Sequence, residues 1–126
     1  MLKDNLKLGK IGEEEAVNFL KQQGYRIIAR NFTTKLGEID IIAQDEETIC
    51  FIEVKTRGSD KFGLPSEAVA GFKQRQISKA AIIFLKEKNL LDSRARFDIV
   101  AVQYSGSEFK LELIKDAFEL DHKFTL

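Results

Sequence analysis

The spacing of apolar residues changes along this chain, and each change predicts a new element. Over residues 7–23, Ile11, Ala16, Val17, Phe19 and Leu20 recur at helical spacing and Gly24 supplies a stop, which predicts an amphipathic helix. Tyr25-Arg26-Ile27-Ile28-Ala29-Arg30-Asn31-Phe32 reads as a first strand. Gly37-Glu38-Ile39-Asp40-Ile41-Ile42 and Phe51-Ile52-Glu53-Val54-Lys55-Thr56 alternate charged and apolar residues, as half-buried strands do. The polar Gln44-Asp45-Glu46-Glu47 between them predicts an antiparallel hairpin. Residues 57–65, with two glycines and the only proline, read as a loop. Residues 67–89 predict a second helix with Ile77, Ala80, Ala81, Phe84 and Leu85 as its apolar stripe. Residues 96–102 and 109–114 read as fourth and fifth strands, and residues 116–126 carry no clear pattern. The order is αβββαββ. Strands interleaved with two long helices predict an α/β fold, a mixed β-sheet flanked by helices.

The hairpin also holds the chemistry. Side chains two apart on a strand share a face, so Glu53 and Lys55 point the same way. Asp40 lies near the start of one strand and Glu53 and Lys55 near the end of the other, which is the same end of the hairpin. Asp40, Glu53 and Lys55 then converge on one patch that Glu38 borders. Acids gathered beside one base stabilise a sheet poorly but suit a divalent cation held next to a phosphate. The plainer reading is a surface ion pair across the strands, worth less than about 1 kcal/mol.

Composition narrows the choice. The 126 residues suffice for a single domain, 1–126, and the charge is balanced, with 20 basic and 20 acidic residues. The distribution is uneven. Residues 1–36 hold seven bases and four acids, 37–53 six acids and no base, 54–96 ten bases and four acids, and 97–126 three bases and six acids. An acidic hairpin between basic segments fits a metal site with a phosphate-binding rim. One cysteine, Cys50, excludes an internal disulfide and a zinc cluster, and reads as a small core residue on the face opposite Glu53. The lone His122, fifth residue from the end, argues against a histidine-centred site. The start of the chain has no apolar signal core, and the longest apolar run, Ala80-Ala81-Ile82-Ile83-Phe84-Leu85, is far short of a membrane span. A cytoplasmic location without membrane attachment is expected.

Asp40 and the later Glu53-Val54-Lys55 resemble the bipartite signature of the PD-(D/E)xK nuclease superfamily, whose core has the same αβββαβ order. Gly9-Lys10-Ile11-Gly12-Glu13, Arg30-Asn31, Gly37-Glu38-Ile39-Asp40, Glu53-Val54-Lys55-Thr56-Arg57, Lys73 and Arg96-Phe97-Asp98 together resemble the small bacterial UPF0102 (YraN-like) family, regarded as distantly related to archaeal Holliday junction resolvases. The resemblance implies a restriction-endonuclease-like fold and a Mg²⁺- or Mn²⁺-dependent endonuclease. Its substrate would be structured or branched DNA, with RNA an open alternative. It further implies Asp40 and Glu53 as metal ligands, Lys55 as the catalytic lysine and Glu13 as the glutamate that completes the site. Lys73 or Gln76 would be the polar residue of the following helix. Relatives of the resolvase kind act as homodimers. Ile39 stands before Asp40 where the superfamily signature has proline.

Phosphodiester hydrolysis needs a nucleophile at neutral pH and relief of charge in the transition state. Mg²⁺ takes oxygen ligands, commonly one or two carboxylates with waters and substrate phosphate, and acidifies a bound water. Asp40 and Glu53 can supply the oxygens, with the backbone carbonyl of Val54 as a further ligand. Lys55 can position the water or neutralise developing charge, and an ammonium beside two acids favours the second role. Glu38 is either a partner of Lys55 behind the metal ligands or plain edge charge. Arg57, Lys61, Lys73, Arg75, Gln76 and Lys79 can follow a nucleic-acid backbone, or form a solvated face. Arg96 and Asp98 bracket a strand start and can pair with each other. No aromatic stacking platform is evident, so backbone or shape recognition is expected over base reading. The competing function is a nucleic-acid-binding or protein-interaction module with a vestigial site. Phe118, Leu120, Phe124 and Leu126 can serve an interface or cap the core.

Overall fold

The sequence pattern translates into seven elements: α1 (Leu2–Gln22), β1 (Arg26–Thr33), β2 (Glu38–Asp45), β3 (Thr48–Gly58), α2 (Gly71–Glu87), β4 (Arg94–Ser105) and β5 (Glu108–Phe118). They come from a computed structural model that describes residues 2–58 and 71–118. The strands form one five-stranded sheet in chain order, β1-β2-β3-β4-β5. Neighbours are antiparallel except β3 and β4, which are parallel from Thr48↔Arg94 to Gly58↔Tyr104. A parallel pair cannot be joined by a tight turn, and α2 lies between these two strands in the chain. The fold is therefore α/β with a mixed sheet and two helices, as the alternation of periods predicts.

Each face of the sheet has its own core. On the α2 side Ile39, Ile42, Ile49, Phe51, Phe97 and Ile99 meet Ile77, Ala80, Ala81, Phe84 and Leu85. Phe84 sits edge-on to Phe32 and Phe51, at 5.4 and 6.0 Å between ring centres, an arrangement aromatic quadrupoles favour. On the α1 side Ile41, Ala43, Cys50, Ile52, Val54, Val100 and Val102 meet Ala16, Val17 and Leu20. This corrects the expectation of a half-buried hairpin. Ile39, Ile41, Ile42 and Ala43 of β2 and every residue from Ile49 to Val54 of β3 are buried, because the hairpin lies inside the sheet with a core on both faces. Cys50 is a core residue opposite Glu53, as expected.

Other expectations shift at the ends of elements. Ile11, assigned to the apolar stripe of the first helix, is 38% exposed, since the core contacts of α1 begin at Ala16. Arg57 and Gly58, read as loop, continue β3 because β4 keeps pairing with them. The rest of that loop, with Lys61, and positions 67–70 of the expected helix lie outside the described residues. Phe118 stacks on Phe97 at 4.7 Å, while Leu120, Phe124 and Leu126 lie outside the described residues. Among the described residues no helix is long and apolar enough to cross a membrane.

Arg96 and Asp98 do pair, and they belong to a larger network. The Arg96 Nε donates to both carboxylate oxygens of Asp98 at 3.0 Å, and the guanidinium also reaches Asp45 at 2.9 Å and the Tyr25 hydroxyl. Asp98 is fully buried and accepts the Asp116 N–H at 3.0 Å as well. Burial raises its carboxyl pKa, against the pull of the Asp116 amide and Arg96. Burial likewise pushes the Tyr25 hydroxyl up to about 12. This cluster ties β2, β4, β5 and the start of β1 together at one end of the hairpin. Asp40 and Glu53 lie towards the other end.

Candidate active site

The ladder between β2 and β3 runs from Asp45↔Thr48 to Ile41↔Ile52 and stops there. Beyond that point β2 stays paired with β1 as far as Glu38, whereas β3 stays paired with β4 as far as Gly58. The sheet forks, and Asp40 and Glu53 are the first residues past the fork. The face pattern of β2 slips at the same place: Ile39 and Ile42 belong to the α2 side, Ile41 and Ala43 to the α1 side. Asp40 replaces the missing ladder bond with its side chain, accepting the Val54 N–H at Oδ2 over 2.8 Å. The N–H and C=O of one residue in a strand point to the same edge, so the Val54 carbonyl also faces the fork.

The two carboxyl groups meet in the fork. Glu53 is only 6% exposed. Burial pushes its pKa up to about 7, the charge of Asp40 adds to the rise, and Lys73 and Lys55 hold it back. Asp40 is raised too, chiefly by burial; the Val54 amide, Lys73 and a hydrogen bond to Glu53 oppose the rise and the charge of Glu38 adds to it. Two acids at hydrogen-bonding distance, Glu53 buried and Asp40 half-buried, share a proton more readily than they both ionise.

Lys55 and Lys73 reach the pair from different elements. Lys55 stands two residues along β3 from Glu53, half-buried, and its charge acts on Glu53. Lys73, near the start of α2, places Nζ 3.5 Å from Glu53 Oε1. Of the two candidates on this helix, Lys73 is therefore the one that meets Glu53. Gln76 does its work through its backbone: a Cβ on Gly37 would fall on the Gln76 carbonyl. A side chain at position 37 would lever α2, and Lys73 with it, off the start of β2.

Glu13 arrives from the other face, on α1. Gly12 before it is a second close approach, since a Cβ there would fall on the Thr56 hydroxyl. Burial raises the pKa of Glu13, Asp40 and Glu38 add to the rise, and Arg30 and a hydrogen bond from Asn31 lower it. Its Oε1 is buried with no hydrogen-bond partner among the described residues. An unsatisfied buried carboxylate oxygen is costly and calls for a cation or a water. Among the described residues, however, no group of three or more His, Cys, Asp or Glu side chains is gathered closely enough to hold a metal ion. Glu13 thus adjoins the Asp40–Glu53 pair without closing a three-acid cage around it. Glu38, exposed, borders both through its charge.

The basic residues divide. Arg57 extends β3 opposite Gln103 and is half-buried. Lys73 and Arg75 are both exposed, but two residues on a helix are about 200° apart, so only Lys73 turns to the fork. Arg75 and Lys79, four apart, share another stripe of α2. What looks like one basic segment in sequence is thus dealt to two sides of a helix. Arg30 and Asn31, quoted above only as part of a resemblance, prove to line a pocket with Lys10, Glu13 and Glu14. Their signal was a pair of polar residues in a strand otherwise rich in apolar ones.

Comparison with known proteins gives a consistent family. The model of the uncharacterised protein family UPF0102 matches residues 12–102. A UPF0102 protein of Syntrophus aciditrophicus is 52% identical over 116 residues, covering 92% of this chain and 91% of the relative. One from Geotalea uraniireducens is 54% identical over 118 residues, 93% of each chain. The solved structure of a protein named SSO0001 aligns at a TM-score of 0.39 and 19% identity, over 92% of this chain and 54% of that one.

Proposed function

The chain belongs to the uncharacterised protein family UPF0102, and we propose that it is a metal-dependent endonuclease acting on structured or branched DNA in the cytoplasm. The observation that carries this reading is the pairing of half-buried Asp40 with buried Glu53 in the fork between β2 and β3, with Lys55 on the strand of Glu53. The donor set suits a hard dication: two carboxylates, the Val54 carbonyl facing the same gap, and the unsatisfied Glu13 Oε1 beside them. When bound, Mg²⁺ or Mn²⁺ would polarise a phosphate and acidify a water.

The remaining work falls to the protein. Asp40 is held in place by the Val54 amide, which donates to its Oδ2. Glu53, its pKa pushed up to about 7, would hold a cation in its ionised form, so binding would depend on pH. Lys55 would neutralise charge building on the attacked phosphate. Lys73 pairs with Glu53 across 3.5 Å and would also reach a phosphate held at the fork. Lys73 is the backbone contact nearest the fork.

One observation favours a second reading, a nucleic-acid-binding or interaction module with a vestigial site. No three-acid group is gathered among the described residues, and Lys73 already neutralises part of Glu53. A panel of four-way junctions, flaps, single strands and duplexes in DNA and RNA, incubated with Mg²⁺, Mn²⁺ or chelator, separates the two. The nuclease reading requires metal-dependent cutting that Asp40→Ala and Glu53→Ala abolish and Lys55→Ala reduces by about 10²-fold or more. Cutting that survives Glu53→Ala would defeat it, and binding without any cutting would favour the module.

A further inference from the structure

The pocket between α1 and β1 shares only Glu13 with the proposed catalytic site. It has a volume of about 380 Å³ and is lined by Lys10, Glu13, Glu14, Arg30 and Asn31. Its donors are one ammonium, one guanidinium and one amide, brought together from residues 20 apart in sequence. Arg30 is 36% exposed and spends one nitrogen on Glu14, 2.7 Å away, whose side chain is 61% exposed. An arginine has five N–H donors in a fork that matches two oxygens of a phosphate, so most of that fork is not consumed by the Glu14 contact. An ion pair this open to solvent has little net stability and opens readily. Glu13 is the shared wall: it lines the pocket and its charge also acts on Asp40.

We propose that Lys10, Arg30 and Asn31 form a subsite for a backbone phosphate of the substrate strand next to the phosphate held at Asp40 and Glu53, and that Glu14 occupies Arg30 in its absence. The inference rests on the nuclease reading for its ligand class, but it concerns binding and not cutting. In this arrangement the strand enters across α1, passes the fork and leaves towards Lys73, so the subsite sets which way the strand runs. Glu14 acts as a competitor that an arriving phosphate displaces. It therefore lowers affinity for nucleic acid while keeping the arginine aligned.

The test is a binding cycle in Ca²⁺, a cation that takes the same kind of oxygen ligands, using a junction and a duplex that carry single neutral methylphosphonates at successive positions. In the unaltered protein one position flanking the bound centre should weaken binding by about tenfold, the loss of one charge-assisted contact. In Arg30→Gln the same substitution should cost almost nothing, because the contact is already gone. Glu14→Gln, at an exposed position, should tighten binding of unmodified DNA several-fold. Melting curves establish that the variants are folded. A methylphosphonate penalty that is equal in Arg30→Gln and the unaltered protein, or weaker binding by Glu14→Gln, overturns the subsite and leaves the nuclease reading standing. Normal Arg30-dependent binding without cutting in Mg²⁺ supports the subsite and counts against the nuclease. Absence of any binding overturns both.

Discussion

At the scale of residues, the acid pair in the fork has a measurable price. A carboxyl whose pKa is raised on folding keeps more protons in the folded chain than in the unfolded one. The stability it contributes is whole below its unfolded pKa and is lost as pH rises through the folded value. For Glu53 that window runs from 4.5 to about 7, with Asp40 shifted in the same direction. Metal-free protein should therefore lose stability between these pH values, by up to about 3 kcal/mol. Glu53→Gln should flatten the profile and raise Tm at pH 8 by several degrees. A flat profile in the unaltered protein, read by thermal melts across pH, would mean that the pair is solvated. Adding Mg²⁺ at ten times its Kd should restore about 1.4 kcal/mol, and Asp40→Ala should abolish that gain.

Much of this pair was legible from spacing. Residue parity on two strands and one polar turn suffice to bring Asp40, Glu53 and Lys55 to one end of a hairpin. Their burial was not legible, because it depends on cores supplied by Ala16–Leu20 and by Ile77–Leu85, far away in sequence. Nor could parity say that Lys73 faces the fork while Arg75 turns away, since that needs the rotation of α2 about its axis relative to the sheet.

At the scale of elements, two glycines set how closely the helices approach. Gly12→Ala would drive a methyl into the Thr56 side chain, and overpacking of this kind costs about 1–3 kcal/mol. Thr56→Ala should relieve most of that, so the double variant should be more stable than the sum of the two single changes predicts. Strict additivity in urea melts would show that α1 had simply moved away. Gly37→Ala offers no such remedy, because its obstacle is the backbone carbonyl of Gln76. It should lower both stability and Lys73-dependent binding. Element order and type followed from periodicity alone, whereas lengths did not. β4 runs on to Ser105 because residues 103–105 pair with the start of β5, and β5 runs on past exposed Lys115 and Asp116 to Phe118, which pairs with Phe97.

At the scale of the whole molecule, the Arg96 network joins what the loops do not. Arg96→Leu would leave Asp98, fully buried, without its counter-charge, and should cost about 3–5 kcal/mol in a denaturant titration. Arg96→Leu with Asp98→Asn should recover a good part, since an amide oxygen can still accept the Asp116 N–H without carrying a charge. A double variant as unstable as the single one would place the loss in packing around Tyr25 instead.

The lone parallel ladder has a consequence in time. Three of the four ladders join strands across a short turn, but every β3–β4 pair joins residues 46 apart, as Thr48 with Arg94. Closing so long a loop costs entropy before any ladder bond repays it, so this seam should close last. Leu111→Ala, in the β4–β5 hairpin, is expected to slow refolding in stopped-flow traces, whereas Val100→Ala, inside the seam, should chiefly speed unfolding. Asp40 and Glu53 both lie in the meander that forms before it. The acids would thus be paired while still wet, and β4 would then shut them in.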